Sequence, residues 1–381
     1  MIPYGRQSIS DKDIEAVVSA LRSDFLTQGP MVPRFERAVA EKVGVAHAVA
    51  VNSATSALHI ACLALGVGPG DMVWTVPNTF VASANCARYC GADVDFVDID
   101  QHTYCMSASS LADKLTRAES VGRLPKVVIP VHFAGQPCDL REIAALSKRY
   151  GFSVIEDASH AIGASYESAT IGDCAYSDIT VFSFHPVKII TTAEGGVATT
   201  ASAELAERMQ LFRSHGVTRE KHLLTAEDGA WYYEQLELGY NYRLTELQAA
   251  LGISQLENLD AWVARRHQIA DRYDAGLEQL PLQRPVRLQD RRSALHLYAI
   301  RLDDAERRRE VFEGLRAAGI GVNVHYIPVH TQPYYRNLGF ASGQFPHSEW
   351  YYAGAITLPM YPIMTDEDQR RVIETVSRLL A

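Results

Sequence analysis

Apolar residues recur along this chain at two alternating periods, and the alternation predicts an architecture. Helical spacing near Lys12–Arg22 and Pro33–Val43 is followed by short apolar runs at His47–Val51, Met72–Val76, Asp93–Val97, Lys126–Val131 and Phe152–Ile155. Helical patterns near Thr55–Leu65, Phe80–Tyr89, Ser109–Leu115 and Leu140–Tyr150 separate those runs. Strands that alternate with helices predict a mostly parallel sheet covered on both faces, since parallel neighbours need a crossover between them. Helical patterns continue at Ala203–His215, Leu244–Leu259 and Ala261–Leu280, while Gly216–Tyr240 is aromatic and polar without a clean period. From Leu282 onward a strand at His296–Leu302, a helix at Ala305–Ala318, a strand near Gly321–His325 and closing helices at Ser348–Gly354 and Asp366–Leu380 predict a smaller α+β unit. The expectation is a large α/β domain over 1–258, with an N-terminal arm, and a small C-terminal domain over 259–381.

Composition adds exclusions. A chain of 381 residues that is 47% hydrophobic and 21% charged can bury a substantial core. Its net charge of -9 offers no footprint for a phosphate backbone, and the run Arg307-Arg308-Arg309 follows Asp303, Asp304 and Glu306, as on a solvated helix face. Val43 to Gly70 lacks Asp, Glu, Lys and Arg, but Asn52, Ser53, Thr55 and Ser56 interrupt it, so it reads as strand, turn and helix rather than a membrane span. The opening Met1-Ile2-Pro3-Tyr4-Gly5-Arg6 has no signal-peptide pattern. Six cysteines without paired CxxC spacing predict buried thiols in a reducing cytoplasm and no metal site. A cytoplasmic protein with no nucleic-acid or membrane partner is expected.

Three segments carry candidate chemistry. In Val181–Gly196, Lys188 is embedded among apolar residues. A desolvated amine of lowered pKa is a nucleophile suited to a carbonyl cofactor, although a lysine can also bury its stem and snorkel its head to water. In Ser153–Gly163, Asp157 would project beyond the carboxyl end of a strand, where open α/β sheets bind ligands. It could partner a pyridinium nitrogen, or simply cap a helix. Val51–Ala57 places small and hydroxylated residues between a strand and a helix, which suits a phosphate and equally suits ordinary capping. A Schiff-base lysine, a strand-end aspartate and a helix-start cradle together are the fixings pyridoxal phosphate needs. Phe80 could offer its ring an aromatic face, or belong to the core.

These segments resemble the DegT/StrS sugar aminotransferases, which have the type I aminotransferase fold. The likeness runs from Leu26–Pro30 through Asn52–Leu58, Glu156–Gly163, Ser183–Gly196 and Phe212–Gly216 to Gly239–Leu244. It implies that Lys188 holds pyridoxal phosphate and later moves a proton, and that Asp157 pairs with the pyridine nitrogen. It further implies that Ala54, Thr55 and Ser183 bind or flank the phosphate and that Phe80 stacks on the ring. His160 stands where many members have glutamine near the cofactor's 3-oxygen. Asn241 matches a residue that reaches the phosphate from a neighbouring subunit, which implies a homodimer with shared sites. His325 and Tyr326 match a segment near the sugar nucleotide. Ser183-Phe184-His185 and Thr191–Gly196 look most like members that use glutamate to aminate C4 of a UDP-linked 4-keto-6-deoxy-N-acetylhexosamine on the route to pseudaminic acid. The alternatives are amination of another nucleotide sugar at C3 or C4, a dehydratase, which would have histidine in place of Lys188, and a non-catalytic relative. Trp231, Tyr232 and Tyr233 could lie over the substrate or in a surface loop.

Overall fold

The alternating pattern folds into a seven-stranded sheet in the computed structural model, which describes residues 1–381. Its strands are β1 (His47–Val51), β2 (Met72–Thr75), β3 (Asp93–Phe96), β4 (Val127–Val128), β5 (Ser153–Asp157) and, after a short hairpin of β6 (Ser165–Tyr166) and β7 (Ala169–Thr170), β8 (Ile179–Ser183) and β9 (Gly196–Thr200). Across the sheet the order is β1-β9-β8-β5-β4-β2-β3. β2, β3, β4, β5 and β8 pair in parallel, and β9 runs antiparallel to both its neighbours. Helices α1 (Asp11–Leu21), α2 (Met31–Val43), α3 (Ala54–Ala64), α4 (Ala82–Tyr89), α5 (Ala108–Ser120), α6 (Leu140–Tyr150), α7 (Ala203–Arg213) and α8 (Glu246–Leu256) accompany these strands.

Alternating side chains send each strand to both faces of the sheet. Ala48 and Ala50 join one apolar cluster with Trp74, Val154 and Phe182, while Val49 and Val51 join a second with Val73, Ile155 and Val181. A third cluster lies under α9 (Leu259–Gly276), α10 (Arg308–Ala317) and α13 (Asp366–Leu380) and includes Ile2. There β12 (Leu282–Gln283), β14 (Tyr298–Leu302) and β15 (Ala355–Leu358) form an antiparallel sheet. Short α11 (Pro333–Arg336) packs through Tyr335 on the second cluster, and α12 (Pro346–Gly354) through Tyr351 on the first. Two further ribbons join β10 (Val217–Thr218) to β11 (Glu234–Gln235), and β13 (Arg291–Arg292) to β6. No helix is long and apolar enough to cross a membrane.

Several boundaries differ from the sequence pattern. The run Lys126–Val131 is a strand only at Val127–Val128, then continues as a single bridge from Val131 to Asp157, because Pro130 between them has no N–H to donate. Gly321–His325 is not a strand. Only Asn323 bridges to Thr357, and the Asn323 side chain accepts the Val324 N–H at 2.8 Å, withdrawing that donor from any ladder. The expected helix at Ala305–Ala318 opens with a 3-10 turn before α10. Phe80 precedes α4 instead of starting it, and β8, β9 and β15 were not resolved by the pattern. Burial explains the first two: every residue of β8 and β9 is covered, so neither shows alternation.

Candidate active site

A cavity of about 590 Å³ opens at the carboxyl ends of β5 and β8 and the start of α3. Lys188, Asp157, Ala54, Thr55, Phe80, His160, Ser183, His325 and Tyr326 all line it. Asn241 does not; it is exposed on the surface, bridged to Ser214. A larger groove of about 850 Å³ beside β3 and α5 contains none of these residues.

Lys188 lies in the loop between β8 and β9. The loop is pinned by Phe184 N–H to Gly195 O at 2.9 Å and Thr192 N–H to Phe184 O at 3.0 Å. Buried Ile189 and Ile190 anchor the chain just after the lysine, whose own N–H donates to His185 O at 2.9 Å. The ammonium has no hydrogen-bonded or ion-paired partner. Burial lowers its pKa from 10.5 to about 8, against the opposing field of Asp157. The side chain is half-buried and lines the cavity, so the amine opens onto that cavity.

Asp157 ends β5 and is buried. One carboxylate oxygen accepts the Ser83 hydroxyl at 2.6 Å and the other accepts the Ser159 N–H at 3.1 Å. Ser83 in turn lies 2.8 Å from the Thr79 hydroxyl. Neighbouring Glu156 faces away from the cavity, as strand alternation requires. It accepts from His132 Nε2 at 2.7 Å and from the Ser177 hydroxyl at 2.5 Å. Of two adjacent carboxylates, only Asp157 is available to a ligand.

Ser53 caps α3 by accepting the Ser56 N–H at 3.1 Å. The amides of Ala54 and Thr55, ahead of that bond, have no acceptor in the chain and border the cavity. Gly196 lets β9 approach this helix start: a Cβ there would meet Ala54 N at 2.5 Å and Ser53 C at 2.6 Å. Phe80 is 59% exposed at the cavity rim, so it is not a core residue. Its ring centroid is 6.4 Å from that of Tyr326.

Four neutral aromatic groups form the remaining wall. His160 Nδ1 lies 3.2 Å from the Ala134 amide and its Nε2 3.0 Å from the Tyr326 hydroxyl. Burial, then the charge of Lys188, hold the His160 pKa well below 6.5. His325 contacts the Thr357 hydroxyl through Nδ1 at 2.9 Å, and burial lowers its pKa to about 3. The peptide between His325 and Tyr326 is cis. His296 was not anticipated: its ring centroid is 4.5 Å from that of His160, and its buried Nδ1 has no partner. Tyr4 and Asn323 also line the cavity without having been anticipated. No local pattern marks these three, because each arrives from a distant segment. Trp231 is 70% exposed and outside the cavity.

The pattern of the DegT/DnrJ/EryC1/StrS aminotransferase family matches residues 7–377. The spore coat polysaccharide biosynthesis protein SpsC of Bacillus subtilis is 40% identical over 98% of this chain and 96% of its own. The UDP-4-amino-4,6-dideoxy-N-acetyl-beta-L-altrosamine transaminase of Campylobacter jejuni is 38% identical over 100% of this chain and 98% of its own. Among solved structures, the putative sugar aminotransferase Spr1654 of Streptococcus pneumoniae, in its PMP-form, superposes with a TM-score of 0.91 at 31% identity, covering 100% of this chain and 99% of that one.

Proposed function

The chain belongs to the DegT/DnrJ/EryC1/StrS aminotransferase family and has the type I fold, and from that premise we propose that it moves an amino group from glutamate to C4 of a UDP-linked 4-keto-6-deoxy-N-acetylhexosamine, a step toward a pseudaminic-acid-type sugar. The observation that carries the reaction class is the unpaired, partly desolvated Lys188 facing a cavity that also holds Asp157. The likeness to the Campylobacter transaminase supports the choice of sugar.

The cavity's own donors fit the cofactor, pyridoxal phosphate. When bound, that group supplies an aldehyde carbon that exchanges amines and a ring that draws off electrons. Lys188 is the one lysine in the cavity wall, and with a pKa near 8 an appreciable fraction of it is a neutral nucleophile near neutral pH. The same Nζ can take up and return a proton once it is free. Asp157, held by Ser83 and the Ser159 amide, would be the residue that partners the ring nitrogen. Free amides at Ala54 and Thr55, and the Ser183 hydroxyl in the same cavity wall, would offer donors to a phosphate at the positive end of α3. Phe80, in the same cavity wall, would offer a face for the ring, and His325 and Tyr326 are the residues proposed to meet the sugar nucleotide.

The test is product analysis by mass spectrometry and NMR, with glutamate and matched UDP- and dTDP-linked 3-keto and 4-keto sugars. Amination at C4 of the UDP sugar is expected. Amination at C3, or preference for a dTDP sugar without the N-acetyl group, would overturn the choice of substrate while leaving the family assignment intact.

A further inference from the structure

Hydrogen-bond direction in the cavity wall is set by a backbone amide some distance from any ligand. The turn Phe133–Gly135 holds Ala134 in the left-handed region, at φ 57° and ψ 7°. Gly135 follows at φ 98°, where a Cβ would meet His160 O at 2.9 Å and Leu295 N at 2.9 Å, so the turn is pressed against His160 and tolerates no side chain. This geometry aims the Ala134 N–H at His160 Nδ1, 3.2 Å away.

An amide N–H can only donate, so Nδ1 must be the unprotonated nitrogen of the ring. A doubly protonated imidazolium would bring Nδ1–H against that N–H, and burial beside Lys188 opposes it as well. The one ring proton of His160 is therefore on Nε2, and it points at the Tyr326 hydroxyl 3.0 Å away. Tyr326 Oη accepts that proton's bond. Its own proton cannot go back to His160, and the hydroxyl has no other partner in the chain. Tyr326 lines the cavity. Burial and the charge of Asp157 hold its pKa well above 10, so the phenol keeps its proton.

The same loop treats a second histidine in the same way. His132 Nδ1 accepts the Cys138 N–H at 3.1 Å, which leaves Nε2–H to donate to Glu156 at 2.7 Å. There the final acceptor is a carboxylate of the chain. In the cavity the chain supplies none.

We infer that the Ala134 amide, His160 and Tyr326 form a one-way chain that turns the Tyr326 phenol into an obligate hydrogen-bond donor to an oxygen acceptor on a ligand in the cavity. His160 is then a positioning residue for Tyr326. The acceptor is a carbonyl or anionic oxygen, carried either by the cofactor ring or by the keto sugar. This rests on the proposed aminotransfer at the same site, and it assigns a direction that the proposal does not contain.

Three variants of the enzyme loaded with pyridoxal phosphate test the direction. Tyr326→Phe removes the donor. His160→Glu reverses it, because a carboxylate accepts at both ends and draws the phenol proton away from the cavity. His160→Gln keeps an acceptor for Ala134 and an N–H for Tyr326. For the sugar half-reaction, kcat/KM should fall on the order of tenfold or more in Tyr326→Phe and in His160→Glu, and by much less in His160→Gln. The double variant His160→Glu with Tyr326→Phe should be no worse than either single one, since both remove the same bond. If Tyr326→Phe shifts the pH titration of the bound cofactor's visible absorbance, the acceptor is on the cofactor; if it changes only KM and kcat for the sugar, the acceptor is on the sugar. Both results support the donor. Equal loss in His160→Gln and His160→Glu, full activity in Tyr326→Phe, or additive losses would overturn it. The tautomer is also read without turnover, by nitrogen-15 NMR of histidine-labelled protein. The signal missing from His160→Gln should be that of an Nε2–H ring, and an Nδ1–H signal would refute the chain's direction even if every variant lost activity by misfolding. Amination of a different sugar would refute the choice of substrate but leave this ranking of variants unchanged.

Discussion

Lys188 places a cationic side chain where its charge is poorly solvated, and its protonation state decides whether it can attack a carbonyl. Its pKa lies near 8, lowered from 10.5, so the ammonium form dominates below about 8 and the free amine above it. Covalent capture of pyridoxal phosphate by cofactor-free protein should therefore accelerate as pH rises through about 8 and then level off. Stopped-flow absorbance measures that rate, and a profile still rising steeply above pH 10 would mean an ordinary lysine. Lys188→Ala should leave no borohydride-trapped adduct at all, which intact-mass spectrometry checks. Placement of the cavity lysine and aspartate was legible in the sequence because each sits inside a short motif whose neighbours are apolar and local. His296 and Tyr4 were not legible, since their position depends on contacts made across the fold rather than on any spacing around them. The sequence around Phe80 is compatible with core and with site alike, and only its exposure at the rim separates it from the core.

At the scale of elements, the start of α3 depends on two residues that are far apart in sequence. Ser53 satisfies an amide of the first turn, and Gly196 at the head of β9 allows close approach from below. Ser53→Ala should cost about 1 kcal/mol, the usual loss of a helix cap. Gly196→Ala should cost about 1–3 kcal/mol, as overpacking against backbone does, and it should weaken pyridoxal phosphate binding more than Ser53→Ala because the Cβ pushes on Ala54 itself. Urea unfolding and cofactor titration measure the two effects, and a fully stable Gly196→Ala protein would show that the approach is not tight. Amphipathic helices were the most readable elements: α6 and α13 carry apolar residues on one face only, and their bounds match the pattern closely. β8 and β9 show no alternation in the sequence because both faces are buried and threonines occupy β9. Thr199 and Thr200 are accommodated there by donating to Gly172 O at 2.9 Å and Asp178 O at 2.7 Å. Such side-chain bonds let polar residues enter a core without leaving a periodic trace.

On the scale of the whole molecule, Asn241 is the one anticipated site residue that its own chain leaves outside the cavity. A homodimer in which Asn241 serves the other subunit's site would account for this. Inactive Lys188→Ala and Asn241→Asp proteins, mixed and re-formed as heterodimers, should then recover about one intact site per mixed dimer. Activity measured on verified heterodimers checks it, and none recovered would count against shared sites. The parallel sheet followed from the alternating pattern, whereas the meeting of residues 2–4 with Ile320 and Met360 did not, because it involves single residues rather than a repeat. Ile2 bridges to Ile320, Tyr4 O accepts the Met360 N–H at 3.0 Å, and Tyr4 forms part of the cavity wall. On a ribosome residues 2–4 emerge before their partners: Ile2 has nothing to dock against until Ile320 has emerged, and the Tyr4 carbonyl has none until Met360 has. The cavity wall that Tyr4 forms is therefore held in place only after Met360 has been translated, and a nascent chain arrested short of that point lacks it.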